Sequence, residues 1–106
     1  MLTRSDTWWL QEVAVAGQIT RGAAIKDRYS MRFHSDGAYT QTLLADGTEY
    51  KGKYMLMGSD NSTLHLTDHK GDAQEYTLEG GGTETLMYSR LNKAGQREVF
   101  SFRNTQ

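Results

Sequence analysis

The fold is decided by residues 28–57, which read RYSMRFHSDGAYTQTLLADGTEYKGKYMLM. Apolar and polar residues alternate along this stretch in runs, and the breaks between the runs contain the pairs Asp36-Gly37 and Asp46-Gly47. Alternation with a period of two is typical of a strand with one buried face, and Asp-Gly supplies the positive φ that a tight hairpin turn needs. The stretch therefore predicts consecutive antiparallel strands joined by hairpins.

The same rhythm extends over nearly the whole chain, with later turn clusters rich in Gly, Asn and Asp. We predict strands near residues 8–15, 28–34, 38–44, 48–57, 63–67, 73–79, 84–90 and 97–103. Residues 16–27 break the rhythm. A helical turn is one interpretation, with Ala23-Ala24-Ile25-Lys26 as its most helix-tolerant part, but we expect one long connection there, either a lid or a mobile surface loop. The expected fold is all-β: a single antiparallel up-and-down barrel of about eight strands over residues 8–103, with an N-terminal tail at 1–7 and a C-terminal tail at 104–106.

Composition limits the function classes. The 106 residues suffice for one domain, and 12 Lys and Arg balance 13 Asp and Glu without clustering, so we expect no nucleic-acid partner. The absence of cysteine excludes disulfides and thiolate metal sites. No run approaches the ~20 apolar residues of a transmembrane segment. Residues 1–10 do not resemble a signal peptide; if one was removed, a periplasmic or outer-membrane-anchored location is favoured, and otherwise a cytoplasmic one.

The more apolar phase of each strand predicts the inner face of the barrel. All six tyrosines fall in this phase. Its members are Trp9, Val13, Val15, Tyr29, Met31, Phe33, Tyr39, Leu43, Tyr50, Gly52, Tyr54, Leu56, Leu64, Leu66, Tyr76, Leu78, Leu86, Tyr88, Phe100 and Phe102. We place Gln74 and Thr77 on the outer face. An unpaired buried hydroxyl costs about 1–3 kcal/mol, so the tyrosines predict an internal hydrogen-bond network, wet tips at the barrel ends, or a cavity.

These rings are the candidate site. If the barrel is hollow, we expect a small hydrophobic or amphipathic ligand to contact Tyr29, Phe33, Tyr39, Tyr50, Tyr54, Tyr76 and Tyr88. If the core is filled, the alternative is a non-catalytic interaction or scaffold domain that acts through its surface. Met55 and Met57, which lie in the outward phase, either pack under the 16–27 connection or mark a patch for a partner or for weak self-association.

Motifs for catalysis and metal binding are weak. His65 and His69 are separated by roughly 13 Å along an extended strand, too far to share one metal ion unless the chain reverses sharply. No serine sits in a glycine elbow, and Gly80-Gly81-Gly82 is followed by no helix that would complete a phosphate site. We therefore expect no metal, no cofactor and no enzymatic activity.

Two further features carry a family resemblance. Trp8-Trp9 opens the first strand and Arg103 ends the last, and the segments Phe33–Tyr39, Tyr50–Tyr54 and Asp60–Thr67 lie between them. In this pattern the chain resembles the lipocalins and especially the short bacterial lipocalin-like domains often found in exported lipoproteins. The resemblance implies an eight-stranded up-and-down barrel, a small apolar ligand, and a structural pairing in which the Arg103 guanidinium stacks on Trp9 where the barrel closes.

Overall fold

The computed structural model describes residues 7–58, 62–81 and 84–105. Its elements are β1 (Trp8–Val15), β2 (Gln18–Arg21), a short 3-10 helix (Gly22–Ala24), β3 (Tyr29–Phe33), β4 (Ala38–Leu43), β5 (Glu49–Met57), β6 (Thr63–Thr67), β7 (Ala73–Gly81), β8 (Thr85–Leu91) and β9 (Arg97–Arg103). β1 and β3 to β9 form a closed antiparallel up-and-down barrel, because β1 pairs with β9. The predicted barrel is confirmed. The first and last residues of each predicted strand lie within two residues of those of an observed strand.

The segment 16–27 is not the single long connection that we expected, and that prediction is wrong. Ala16 and Gly17 both have positive φ, at 51° and 85°, which is the signature of a tight two-residue hairpin turn. β2 then runs back along β1 from Gln18 to Arg21. One edge of β1 is therefore shared by β3, which pairs with its start, and by the exposed strand β2, which pairs with its end.

A β-bulge sets the inner face of β1. Leu10 pairs with Phe102 of β9 and Glu12 with Ser101, so Gln11 is an extra residue that shifts the alternation by one position. Before the bulge the buried residues are Trp8 and Leu10, each 1% exposed, and Trp9 is only half-buried. The predicted inward position of Trp9 is therefore wrong, whereas Val13, beyond the bulge, packs against the core as expected.

Trp9 and Arg103 still lie where the barrel closes. They are direct partners in the β1–β9 register, so they face each other across the first and last strands. The guanidinium of Arg90 lies over two aromatic rings, whereas the Arg103 guanidinium does not lie over the Trp9 ring, and both of these residues are described. The predicted stacking of Arg103 on Trp9 is thus replaced by a pairing of backbones.

The interior is filled at one end of the barrel, the end that carries the turn between β3 and β4. Phe33 and Tyr54 meet there edge to face with ring centroids 5.1 Å apart, and the Tyr54 hydroxyl donates to the His34 carbonyl oxygen at 2.6 Å. The most buried core side chains are Trp8, Leu10, Met31, Leu64, Tyr88 and Phe102. On the outer face, Met55 is 55% exposed and Met57 is half-buried.

Gly52 gives β5 its close contact with both neighbouring strands. It pairs with Tyr39 of β4, and a Cβ at this position would lie 2.6 Å from Cε2 of the Tyr39 ring and 2.2 Å from the Thr67 carbonyl oxygen of β6. Only glycine fits such a close approach of ring and backbone. The missing side chain leaves the room that the Tyr39 ring occupies next to β5.

Among the described residues, no helix has the length and apolar character needed to cross a bilayer.

Candidate binding cavity

The barrel is hollow at the end opposite the filled one. A cavity of about 470 Å³ lies there, beside the turn of residues 68–72 that joins β6 to β7. Sites for small molecules typically have volumes of about 300–1,000 Å³. The interior of the barrel is therefore filled with side chains at one end and hollow at the other.

Aromatic rings form a large part of the cavity wall. Five of the seven predicted site residues line it, together with Phe100: Tyr29, Tyr39, Tyr50, Tyr76 and Tyr88. The other two, Phe33 and Tyr54, pack at the filled end and do not reach the cavity. The five tyrosines come together because each lies on the inward-facing side of its strand. Their contact with a ligand stays a prediction.

Tyr29, Tyr76 and Tyr88 contact one another in the cavity wall. The Tyr29 and Tyr88 hydroxyls lie 3.4 Å apart, and the Tyr76 and Tyr88 rings stack at 4.7 Å with an interplanar angle of 14°. Burial raises the pKa of the Tyr29, Tyr76 and Tyr88 phenols above the ordinary value, so all three keep their protons at neutral pH. The cavity floor is therefore a layer of neutral phenols.

Arg90 and Glu98 form a charged pair at the cavity that the sequence reading missed. The Arg90 Nε donates to Glu98 Oε1 at 2.8 Å, and its Nη1 donates to the Tyr76 hydroxyl at 3.2 Å. The guanidinium carbon lies 5.4 Å from the Tyr76 ring centroid and 5.6 Å from that of Phe100. Such contacts are worth about 0.5–2 kcal/mol, depending on desolvation. The signal was available, because Arg90 continues the inward phase of Tyr88, and Glu98 that of Phe100.

Gln74 corrects another prediction. We expected it on the outer face, but it lies two residues before Tyr76, shares its phase and lines the cavity. Its Oε1 accepts from the Tyr76 hydroxyl and from Arg90 Nη1, the latter at 3.1 Å. Gln41 of β4 also lines the cavity, and the two amides widen the polar part of the wall.

The mouth of the cavity is shaped by the turn 68–72. Asp68 Oδ1 accepts the backbone N–H groups of Lys70 and Asp72, each at 2.9 Å, which holds the turn in place. The His69 ring stacks on Tyr50 with centroids 5.3 Å apart. Lys70 and Asp72 also line the opening, whereas no residue of 16–27 does. The lid role that we considered for 16–27 therefore has no counterpart at this cavity.

The two histidines of the weak metal motif lie apart. His65 is on the outer face, where its Nδ1 is 3.4 Å from Glu75 Oε2, and His69 is at the cavity mouth. Within residues 7–58, 62–81 and 84–105, no three His, Cys, Asp or Glu side chains are placed to hold a metal ion.

A larger depression of about 770 Å³ follows the outer surface of β8, β9 and β1 and reaches Arg21 at the end of β2. Both of its carboxylates are already paired on the surface, with Arg21 Nε 2.8 Å from Glu12 Oε1 and Arg97 Nη2 2.7 Å from Glu79 Oε1. The interior cavity, although smaller, lies inside the barrel and brings five tyrosines and Phe100 together with convergent polar groups from several strands. We therefore take the interior cavity as the candidate site.

Comparison with known proteins supports the fold. The chain is similar to a redesigned β-barrel of known structure, with a TM-score of 0.53 and 13% identity over 98% of this chain and 93% of that one. No protein-family model matches the sequence. No curated protein matches it either. The similarity shows an eight-stranded antiparallel barrel and no more than that.

Proposed function

We propose that the protein is a non-catalytic binding domain of the lipocalin-like kind, which holds a small amphipathic molecule in the cavity at the open end of its barrel. The observation that carries the proposal is the cavity of about 470 Å³ lined by five inward tyrosines. A side-chain-filled barrel of eight strands needs no such space, whereas a barrel that binds one small ligand does.

The mixed lining favours an amphipathic ligand over a purely hydrophobic one. Met31, Leu66 and Phe100 supply apolar surface, while Gln41 and Gln74 supply amides beside the tyrosine hydroxyls. A ligand that buried only hydrocarbon here would cover the Gln41 amide and the Tyr39 and Tyr50 hydroxyls without offering them a partner, which costs free energy at each of them. We therefore expect the ligand to have both an apolar body and hydrogen-bonding groups.

The proposal can be tested with a substitution that fills the cavity and leaves the packed core unchanged. Gln41→Trp places an indole in the cavity, because Gln41 lines it, and Thr42→Trp adds the same indole at the next residue, on the outer face. The test compares the wild type and both variants by native mass spectrometry of gently purified protein and by titration with the neutral fluorophore N-phenyl-1-naphthylamine.

Wild type and Thr42→Trp should bind the fluorophore saturably, with a Kd on the order of 10 μM for a ligand of this size. Gln41→Trp should lose the binding and any compound that co-purifies. Equal binding by both variants would place the site elsewhere. A wild type that carries no compound and does not bind the fluorophore would refute the proposed function.

A further inference from the structure

The charges around the cavity are compensated within the protein. The cations are Arg90, which is bonded to Glu98, and Lys70, which shares the turn 68–72 with Asp68 and Asp72. An anionic ligand would have to compete with Glu98 for the guanidinium and would meet two more carboxylates at the mouth. A cationic ligand would be attracted by those carboxylates at the mouth, but deeper in the cavity it would meet Arg90 beside the Tyr76 and Phe100 rings that it would itself need. This balance favours a ligand without net charge.

Free hydrogen-bonding groups remain on the wall. Among the described residues, we find no hydrogen-bond partner for the hydroxyls of Tyr39 and Tyr50 or for the side-chain amide of Gln41, although all three line the cavity. No fully buried polar side-chain atom in the described ranges lacks a partner. The Tyr39 hydroxyl, on a residue that is only 5% exposed, must therefore reach solvent, and the cavity that Tyr39 lines is where it does so. These groups are positioned to bond to a ligand.

The rest of the wall is suited to flat rings. The stacked Tyr76–Tyr88 pair and the stacked Tyr50–His69 pair stand on it, with interplanar angles of 14° and 25°. Aromatic rings pair favourably with other rings in offset-stacked or edge-to-face arrangements, beyond the simple burial of area. An aromatic ligand gains more from this wall than an aliphatic chain of equal size.

We propose that the ligand of this cavity is an uncharged aromatic molecule with hydroxyl or carbonyl groups, bonded by Tyr39, Tyr50 and Gln41. This inference rests on the proposed function, because it names the chemical class that the same cavity takes. It excludes fatty acids and other carboxylates as the preferred ligands.

A matched series on one ring system tests the class. The probes are 2-naphthol, naphthalene, 2-naphthoate and 2-naphthylmethylammonium, measured by NMR titration at pH 7 with wild type, with the double variant Tyr39→Phe and Tyr50→Phe, and with Tyr54→Phe. Tyr54 is the matched control, because its hydroxyl is bonded to His34 at the filled end. One net hydrogen bond corresponds to about a fivefold change in affinity.

We expect 2-naphthol to bind at least about fivefold more tightly than each of the other three probes. The double variant, which keeps only Gln41 of the three bonding groups, should lose most of this advantage over naphthalene while its affinity for naphthalene stays the same, and Tyr54→Phe should behave as wild type. Equal affinities for naphthol and naphthalene, or tighter binding of the carboxylate or the ammonium ion, would overturn the inference and leave the proposed function standing. The inference also fails if N-phenyl-1-naphthylamine binds and no member of the series does. If neither that fluorophore nor the series binds, the proposed function itself fails.

Discussion

Gly52→Ala tests how closely the strands approach one another at the centre of the barrel wall. The new methyl group would lie 2.2 Å from the Thr67 carbonyl oxygen, and that contact must lengthen by about 1.2 Å to become ordinary. The obstacle is backbone, so it cannot turn aside as a long side chain would. The backbone pairing of β5 with β6 next to it, between Lys53 and Thr67, has to be distorted instead.

Overpacking of this kind costs about 1–3 kcal/mol, and the backbone obstacle puts Gly52→Ala at the upper end, about 3 kcal/mol. At roughly 4 °C per kcal/mol for a domain of about this length, the melting temperature should fall by about 12 °C. The assay is urea denaturation followed by tryptophan fluorescence, supported by calorimetry. Gly71→Ala is the control, since it has positive φ but open space around its Cβ and should pay only for backbone strain, about 1–2 kcal/mol.

A second background separates the two obstacles. Tyr39→Leu removes the ring atoms that would lie 2.6 and 2.7 Å from the new methyl group but leaves the Thr67 carbonyl oxygen in place. Gly52→Ala should remain destabilising in that background, by more than half of its cost in the wild type. If it becomes neutral there, the carbonyl is not the obstacle, and a loss below about 0.5 kcal/mol in the wild type would refute the whole argument.

Three further predictions concern the packing and the titrating groups. Trp8→Ala should lower the free energy of unfolding by about 3–5 kcal/mol in urea denaturation, and Trp9→Ala by less than half of that, because only Trp8 is fully buried; equal losses would contradict the bulge in β1. The folded-state pKa values of Tyr29 and Tyr88 are raised by burial above the unfolded value of about 10, so their contribution to stability is complete below pH 10 and is lost as the pH rises further. In an alkaline titration, tyrosinate absorbance from these two residues should therefore appear together with unfolding and not before it. The Tyr29→Phe and Tyr88→Phe variants identify which part of the absorbance comes from each residue. The pKa of Glu79 is lowered by hydrogen bonds from Ser89 and Arg97, so Glu79→Gln should destabilise the protein at neutral pH and progressively less as the pH falls below about 4.5, where the wild type loses the same contribution.

Most of the strand pattern could be predicted because its signals are local. In β3, β4 and β5 the alternation and the Asp-Gly turns lie within a few residues, and Gly37 and Gly47 adopt the positive φ that the turns require. The inward-facing residues of β1 could not be predicted in the same way. Its bulge arises where Leu10 and Glu12 meet neighbouring residues of β9, about ninety residues later, and nothing around Gln11 announces it.

The hairpin between β1 and β2 was missed for a related reason. Ala16-Gly17 is a less usual turn pair than Asn-Gly or Asp-Gly, so the segment read as irregular. At the cavity, the choice of the more apolar phase identified the tyrosines but passed over Arg90 and Glu98, which share that phase near the open end. The cavity volume depends on the tilt and stagger of all the strands together, which no single stretch of sequence determines.

The pairing of β1 with β9 has a consequence for how the chain reaches its folded state. The two strands that close the barrel are the first and the last, so the apolar side of β1 stays incompletely covered until residues 97–103 are available to it. Contacts this far apart in sequence make folding slow, because a long loop must be ordered before the contact forms. During synthesis, Trp8 and Leu10 would lack their β9 partners until almost the whole domain has been translated. In this interval the exposed hydrophobic strand β1 would be a binding site for a ribosome-associated chaperone.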